Sequence, residues 1–431
     1  MSSPLTIRPM RADDDLDAEL DLRHRAFGPM DGADRQHWRE EMLARIAVGA
    51  QYGVWAGDRD GAALIGSARY YDMRQYWHGR PVPMAGVGGV KVAPEARGGG
   101  VGRALMAELL GVLARGGFAL SVLFPATVQF YRSLGWELAG GHYRIEVPGR
   151  SLGSLLPPDP RVPAKPGEAA DPVAEGQVAE GRVAASAVPL RRVNPDDAEQ
   201  VIAVLGAVHA AARDCGPATR DPASVRRWLG DPDLFGYLAP DGFLGYGWHG
   251  DRRHDIMVSV LAASSADTAR ALWGIVASHA SVTRVVHAAV GPSDPVGWLT
   301  RERDVSLRRD RQWMLRVLDP AAAIAWRGFP AATRTSAALR LADPDLPGNA
   351  GLYTLEVADG EGSLVSGITA RGGNSPGGEP VAFGPRGFAA LYAGVPVATL
   401  RAAGLAAGGD RRSDAALDAV FAAQPYLLDY F

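Results

Sequence analysis

The stretch VKVAPEARGGGVGRALMAELL, residues 90–110, decides the fold because it joins an apparent strand to an apparent helix through a glycine cluster. After the cluster, apolar residues recur at helical spacing, at Val101, Leu105 and Leu109. Backbone N–H groups at the start of a helix bind phosphate, since they are unpaired donors backed by the helix dipole. Glycines let phosphate oxygens come close to the backbone. The stretch therefore predicts a phosphate-binding strand–loop–helix unit.

The spacing of the glycines excludes two common phosphate loops. A P-loop needs Lys-Ser/Thr after its last glycine, but Arg103 follows Gly102. A dinucleotide-binding loop, G-x-G-x-x-G, needs a third glycine where Arg103 stands. The pattern that remains is Arg97-x-x-Gly100-x-Gly102, placed directly after a strand.

Length and composition narrow the class of protein. The chain has 431 residues, 47% of them apolar and 22% charged, which predicts two or three globular domains. A net charge of −3 argues against nucleic acid as the main partner. The sequence shows no membrane span and no apolar signal core, and its single cysteine, Cys215, excludes an intramolecular disulfide and a thiolate zinc site. We therefore expect a cytoplasmic protein without a metal.

The chain divides into three α/β units and one segment of unusual composition. Residues 1–150 alternate strand and helix patterns, and residues 151–189, rich in Pro, Ala, Gly and Glu, predict a linker or inserted loop. Residues 190–311 open with PLRRVNPDDAEQ, which echoes the opening PLTIRPMRADDD, and predict a second copy of the first fold. In that copy ASSADTAR replaces the glycine cluster, so its phosphate loop is lost. Residues 312–431 form the third unit.

The loop pattern in its strand–loop–helix setting resembles the pyrophosphate loop of the GNAT superfamily of N-acetyltransferases, which bind acetyl-coenzyme A. A second stretch, FYRSLGW at residues 130–136, is also typical of that superfamily. The resemblance implies that Tyr131 is the general acid that protonates the departing thiolate. Two alternatives remain: a glycine-rich turn without a ligand, and a Tyr131 that only packs on the core.

The three units together resemble the Eis (enhanced intracellular survival) family of bacterial acetyltransferases, whose third domain is similar to sterol carrier proteins. Three further stretches of the sequence resemble that family: WMLRVLDPAAAI at 313–324, ALYAGVPVATLRAAG at 390–404 and LDAVFAAQPYLLDYF at 417–431. It implies an α/β (α+β) chain of two tandem GNAT-like domains, the second without a coenzyme A loop, and a sterol-carrier-protein-like domain. It also implies a homo-hexamer that acetylates amines of aminoglycosides and related polyamines.

The same resemblance assigns roles to individual residues. The positions for the acetyl thioester and pantetheine are Val90, Lys91, Val92, Ala126 and Thr127. The positions for the pyrophosphate are Arg97, Gly98, Gly99, Gly100, Val101, Gly102 and Arg103. The general base is the C-terminal carboxylate, here the main-chain carboxylate of Phe431.

A terminal carboxylate suits an ammonium substrate, which must lose a proton before its nitrogen attacks. The pKa of an exposed α-carboxylate is about 3.5, so it is a weak base. Burial against Tyr430 and other aromatic side chains would raise that pKa. The alternative is an ordinary docked terminus.

The acceptor region departs from the family pattern. Family members that acetylate aminoglycosides carry acidic residues where this chain has Ala26 and Tyr430. Asp31, Asp34 and Asp429 are possible substitutes. Trp38 matches a pocket aromatic of the family, and Phe27, Asp429 and Tyr430 complete the predicted substrate pocket. The strand aromatics that either line a more apolar pocket or pack internally are Tyr70, Tyr71, Tyr76 and Trp77.

These features predict an acetyl-CoA-dependent N-acetyltransferase for a primary amine of a small molecule such as an aminoglycoside. Two alternatives stay open. The enzyme could acylate another amine, in a natural-product intermediate or a peptide lysine, or the chain could be a coenzyme A-binding sensor without activity.

Overall fold

A computed structural model of the protein describes residues 4–57, 62–155, 188–250, 254–300, 305–367 and 379–431. Most of the predicted linker, residues 156–187, lies outside the described residues. Its first residues belong to a 3-10 helix, Gly149–Ser154, and Leu155 forms a bridge with Thr300.

The strands, in chain order, are β1 Leu5–Pro9, β2 Gln51–Ala56, β3 Ala63–Trp77, β4 Arg80–Val92, β5 Leu120–Leu123, β6 Glu137–Pro148, β7 Arg191–Arg192, β8 Ala218–Arg220, β9 Leu234–Ala239, β10 Gly242–His249, β11 Asp255–Ala263, β12 Val285–Val290, β13 Ser306–Val317, β14 Thr335–Leu341, β15 Gly351–Ala358, β16 Glu361–Ser366, β17 Val381–Phe383, β18 Ala406–Ala407 and β19 Tyr426–Leu427.

The helices are α1 Leu16–Phe27, α2 Gly32–Ala47, α3 Val101–Arg115, α4 Val128–Arg132, α5 Ala198–Ala212, α6 Pro222–Leu229, α7 Ala266–Ala277, α8 Val296–Leu299, α9 Pro320–Trp326, α10 Pro385–Tyr392, α11 Val397–Ala402 and α12 Arg411–Phe421. No helix within the described residues is both long and apolar enough to cross a bilayer.

The first two units share one sheet through an exchange of strands. Its order is β1-β2-β3-β4-β5-β13-β6-β12-β11-β10-β9-β7, so β13 from the second unit lies between β5 and β6 of the first. Strand β6 in turn pairs with β12 of the second unit. The predicted boundary at Gln312 therefore falls inside β13, because that strand continues to pair with β5 as far as Val317. The third unit begins after Val317.

Helix α3 packs on this sheet as its apolar spacing predicts. Its buried residues Val101, Leu105 and Leu109 join Val87 of β4 and Leu123 of β5 in one apolar cluster. Burial of such side chains stabilises the fold by about 1.5–3 kcal/mol each. The cluster fixes the N-terminus of α3 next to the end of β4.

The third unit places the end of the chain. Strands β14–β18 form a separate five-stranded sheet, and α9–α12 lie in the same unit. After α12 the chain returns to the first sheet, where β19 pairs in parallel with β6 at Gly141 and His142. This pairing directs the last four residues toward β4.

Candidate active site

Strand β4 changes register at a bulge in the middle of the first unit. Ser67 of β3 faces Lys91, whereas Arg69 faces Gly88. Gly89 has a φ of +61°, a left-handed conformation that favours glycine.

Beyond the bulge, β4 and β5 separate. They pair in parallel only as far as Val87 and Leu123. Within the described residues, Val90 and Val92 therefore have no strand partner in β5, and the Val92 carbonyl accepts a hydrogen bond from Arg97 Nε at 3.3 Å. This splayed edge is a cleft in which an extended pantetheine arm could pair with the backbone, as the resemblance implies.

The α3 N-terminus can accept an anion. Gly98 and Gly100 have φ values of +79° and +81°, with open space where a side chain would stand. Gly100 is the N-cap, no side chain caps the helix and no acidic residue lies in its first turn. By contrast, Asp15 caps α1 and Asp31 caps α2 with their side chains. The free N–H groups of α3 suit a pyrophosphate.

The equivalent helix of the second unit, α7, does not offer this site. The Ser265 side chain accepts the N–H of Thr268, and Asp267 lies in the first turn. The carboxylate of Asp267 repels an anion at the place where the dipole of a bare helix end would attract one. This arrangement agrees with the predicted loss of the phosphate loop.

Tyr131 lies on α4, after a loop in which Ala126 and Thr127 are exposed. The side chain is 6% exposed and packs against Phe130 and Trp136, with ring centroids 4.9 and 6.4 Å away. Burial raises the pKa of Tyr131 to about 12. The phenol is therefore protonated at neutral pH, as a proton donor must be.

The C-terminus docks on β4 beside the bulge. A Cβ atom on Gly88 would lie 3.2 Å from the carboxyl carbon of Phe431, and one on Gly86 would lie 2.7 Å from the Phe431 ring. The ring of Phe431 also contacts those of Tyr71 and Phe124, at centroid distances of 5.9 and 5.7 Å. Glycine at both strand positions gives the tail its space.

Tyr131 and the terminal carboxylate flank β4 from opposite faces. Tyr131 shares the apolar cluster of α3 with Val87, whereas Phe431 lies over Gly86 and Gly88. Successive residues of a strand point to opposite faces, so these positions alternate as expected. The Tyr131 side chain and the Phe431 carboxyl group therefore lie on opposite faces of the sheet.

The glycines under the tail can be tested by substitution. Gly86→Ala should lower kcat by about 100-fold, because the new methyl group would displace the Phe431 ring and misplace the carboxylate. Initial rates at saturating acetyl-CoA measure the effect. Gly384→Ala, where a Cβ meets nothing within 4 Å, is the control. Equal activity of the two variants would contradict a role for the docked tail.

The remaining predicted pocket residues lie in different surroundings. Phe27 ends α1 and is 54% exposed, whereas Trp38 is 7% exposed and packs with Met42 and Ile46. Its buried indole Nε1 has no hydrogen-bond partner within the described residues, and its role in a substrate pocket stays a prediction. In the tail, Asp429 forms an ion pair with Arg220 at 3.4 Å.

Tyr430 is exposed and lies between two neighbouring side chains. Its ring centroid is 4.8 Å from that of Phe124 and 4.3 Å from the guanidinium carbon of Arg311. The Arg311 side chain also donates to the Tyr430 hydroxyl at 3.1 Å. These contacts hold the tail on the surface of the sheet.

Among the strand aromatics, only Tyr71 contacts the docked tail through its ring. Tyr70 packs against Phe118 within the α3 cluster. Tyr76 contacts His209 of the second unit, and Trp77 contacts Tyr392 of the third. The other three are therefore packing residues.

Sequence reasoning missed four residues of the site: Gly86, Gly88, Arg69 and Arg220. The stretch GVGGVKV, residues 86–92, carried a signal for the two glycines, since glycine inside a strand marks a bulge or a close approach of another backbone. No sequence signal pointed to Arg220, because only the fold brings β8 beside β3.

Family models agree with this arrangement. Models described as acetyltransferase (GNAT) domain match residues 6–139 and 216–317, and a sterol carrier protein domain model matches residues 320–428. Comparison with curated proteins gave no match.

Solved structures of acetyltransferases are similar to this chain over its full length. The chain is 36% identical to a GCN5-related N-acetyltransferase from Kribbella flavida, with a TM-score of 0.84 and coverage of 100% of this chain and 99% of that one. A GCN5-related N-acetyltransferase from Anabaena variabilis has 21% identity, a TM-score of 0.78 and coverage of 99% and 100%. Eis1 from Mycobacterium abscessus has 20% identity, a TM-score of 0.70 and coverage of 99% of this chain and 100% of that one. At such low identity, the similarity to the Anabaena variabilis protein and to Eis1 shows a shared fold and no more. The matched domains are two GNAT domains and a C-terminal sterol carrier protein domain. Since the likeness to the Kribbella flavida protein spans the full length at 36% identity, the chain is an acyltransferase of the GCN5-related N-acetyltransferase family.

Proposed function

We propose that the protein is an N-acetyltransferase of the Eis type, which transfers acetyl from acetyl-CoA to a primary amine of a small molecule. The observation that carries the proposal is the docking of the Phe431 carboxyl group over Gly88, beside the β4 bulge. Aminoglycosides are one candidate class of acceptor. The neighbourhood of the tail, rich in arginine, makes other primary amines equally important to test.

The donor site fits acetyl-CoA. The α3 N–H groups after Gly100 would hold the pyrophosphate, with the exposed side chains of Arg97 and Arg103 beside them. The backbone of Val90–Val92 would hold the pantetheine arm and orient the thioester. Acetyl-CoA supplies an activated acyl group whose carbonyl carbon accepts a nucleophile.

Three proton transfers accompany the proposed reaction. The Phe431 carboxylate takes a proton from the acceptor ammonium, which frees the nitrogen lone pair to attack the thioester carbonyl. The Tyr131 hydroxyl gives a proton to the sulfur as the carbon–sulfur bond breaks. The nitrogen then releases its remaining extra proton to the Tyr131 phenolate, which restores the phenol and leaves the neutral amide. Each positioned acid or base of this kind contributes about 10²–10⁴-fold to the rate. The high pKa of Tyr131 keeps that proton in place until the thiolate forms.

Cytoplasmic location and a homo-hexameric assembly are further proposals that rest on the family resemblance. Multi-angle light scattering of the purified chain tests the assembly directly. A mass of six chains supports it, and a monomer mass contradicts it.

The proposed activity is tested with acetyl-CoA and a panel of amines, by following free thiol and identifying products by mass spectrometry. The panel includes kanamycin, spermidine, amino acids and a lysine-containing peptide. An acetylated primary amine supports the proposal. Acetyl-CoA binding without thiol release for any primary amine would favour the sensor alternative.

A further inference from the structure

The acceptor side of β4 is surrounded by arginine. The guanidinium carbons of Arg45, Arg69 and Arg220 lie 5.2, 5.7 and 5.5 Å from the centroid of the Tyr71 ring. This is the ring against which Phe431 docks. A substrate that reaches the terminal carboxylate therefore lies near three guanidinium groups, of which that of Arg45 is buried.

Two of these cations are already paired. The buried Arg45 lies 3.5 Å from Glu41 and 3.8 Å from Asp221. Arg220 lies 3.4 Å from Asp429. These carboxylates are committed to arginines, so they are poorly placed to bind the several ammonium groups of a polycation.

Arg69 is different. Its side chain is half-buried and its Nε donates to the Tyr71 hydroxyl at 2.6 Å. In the part of the chain that the structure describes, no acidic side chain lies within 4.0 Å of its guanidinium. A guanidinium binds carboxylate and phosphate through two parallel hydrogen bonds, so this group is ready for an anionic ligand.

The bulge places Arg69 next to the terminal carboxylate. Arg69 is the cross-strand partner of Gly88, the residue over which the Phe431 carboxyl group lies. Directly opposed residues of an antiparallel strand pair are about 4.5–5.5 Å apart at Cα. The adjacent Gly89 leaves room, since a Cβ there would lie 3.1 Å from the Arg69 guanidinium. One ligand can thus place an ammonium at Phe431 and an anion at Arg69.

An apolar cavity lies beside these charges. It has a volume of about 340 Å³ and a mainly apolar lining that includes Ile202, Leu205 and Trp228. Charged and polar side chains also line it, among them Arg144, His209, Arg220 and Asp429. Arg220 also lies against Tyr71, so its side chain joins the cavity to the acceptor side of β4. The cavity offers room for an apolar body.

We propose that the acceptor is a zwitterionic amine with an anionic group near the reacting nitrogen and an apolar body, and that Arg69 binds the anion. The anion is a carboxylate or a phosphate. The inference rests on the N-acetyltransferase function proposed above, because it uses Phe431 as the site of the ammonium. Arg69 is then a specificity-determining residue.

The test compares matched amines with and without the anion. The pairs are phenylalanine against phenethylamine and phosphoethanolamine against ethanolamine, with kanamycin as the polycation. The intact protein should show a kcat/KM about 10- to 100-fold higher for the anionic member of at least one pair, the range expected for a charge-assisted contact. A preference in the phenylalanine pair would identify the bound anion as a carboxylate, and a preference in the phosphoethanolamine pair would identify it as a phosphate.

Variants assign the preference to Arg69. Arg69→Gln should remove it by lowering kcat/KM about 10- to 100-fold more for the anionic amine than for the partner that lacks the anion. Arg69→Lys should keep part of the preference. The control is Arg74→Gln, an exposed arginine on the same strand. A wild-type enzyme that prefers phenethylamine, ethanolamine or kanamycin, or a preference that survives Arg69→Gln, would overturn the inference.

A binding measurement separates this inference from the proposed function. Calorimetry with phenylalanine and phosphoethanolamine needs no turnover. Binding that is lost in Arg69→Gln, without acetylation of any amine, would support the anion site and overturn the N-acetyltransferase proposal. Acetylation with neither binding nor an anion preference would overturn the anion site and keep the proposed function.

Discussion

A short extension after Phe431 is expected to abolish acetyl transfer. Added residues convert the terminal carboxylate to an amide and must pass through the space over Gly86 and Gly88, where a single Cβ would already meet Phe431. The base and the binding site for the ammonium are lost together. We expect kcat to fall by about 10³-fold or more, in line with the loss of a general base and of substrate position. The measurement is the initial rate of thiol release with the preferred amine.

The same residues added at the N-terminus are the control for that experiment. The C-terminally extended enzyme should keep its melting temperature, since residues after Leu427 lie outside the pairing of β19 with β6. It should also bind acetyl-CoA normally, because the donor cleft is formed by β4, β5 and α3. An extended enzyme with full activity would exclude the carboxylate as the base.

Tyr131→Phe is expected to lower kcat by about 10²–10⁴-fold, since the variant loses the proton donor for the thiolate. Its effect on folding should be small, because Tyr131 packs through its ring and its hydroxyl makes no hydrogen bond within the described residues. Acetyl-CoA affinity, measured by calorimetry, should stay within about threefold of the wild type. A variant that binds acetyl-CoA poorly would show that Tyr131 is structural.

The pH dependence of kcat/KM adds a second test of Tyr131. Its pKa of about 12 keeps the phenol protonated at neutral and moderately alkaline pH. The rate should rise as the acceptor ammonium loses its proton, and ionisation of Tyr131 should cause no fall below about pH 11. A fall near about pH 9 that disappears in Tyr131→Phe would contradict the role of burial in holding this proton.

The donor half of the site could be predicted from the sequence because its signals are local. The glycine cluster, the helical spacing after it and FYRSLGW all lie within residues 90–136. Local spacing is sufficient to specify a strand, a loop and an uncapped helix end. The structure places these elements as a splayed edge beside the α3 N-terminus.

The acceptor half depends on contacts between distant parts of the chain. Arg69, Arg220 and Phe431 come from three different units, and only the strand exchange and the return of the tail bring them around Tyr71. The family resemblance assigns Trp38 to the substrate pocket, and in the structure Trp38 packs with Met42 and Ile46, so its place in a pocket stays a prediction.

Replacing the C-terminal carboxylate with a carboxamide tests the central proposal most directly. Semisynthesis of the tail changes one oxygen to an NH₂ group and keeps the Phe431 ring between Tyr71 and Phe124. The group then has no negative charge to hold the ammonium and no basic oxygen to take its proton. The proposed role of the carboxylate predicts a fall in kcat of about 10²-fold or more with unchanged acetyl-CoA affinity. An amidated enzyme with wild-type kcat would contradict it.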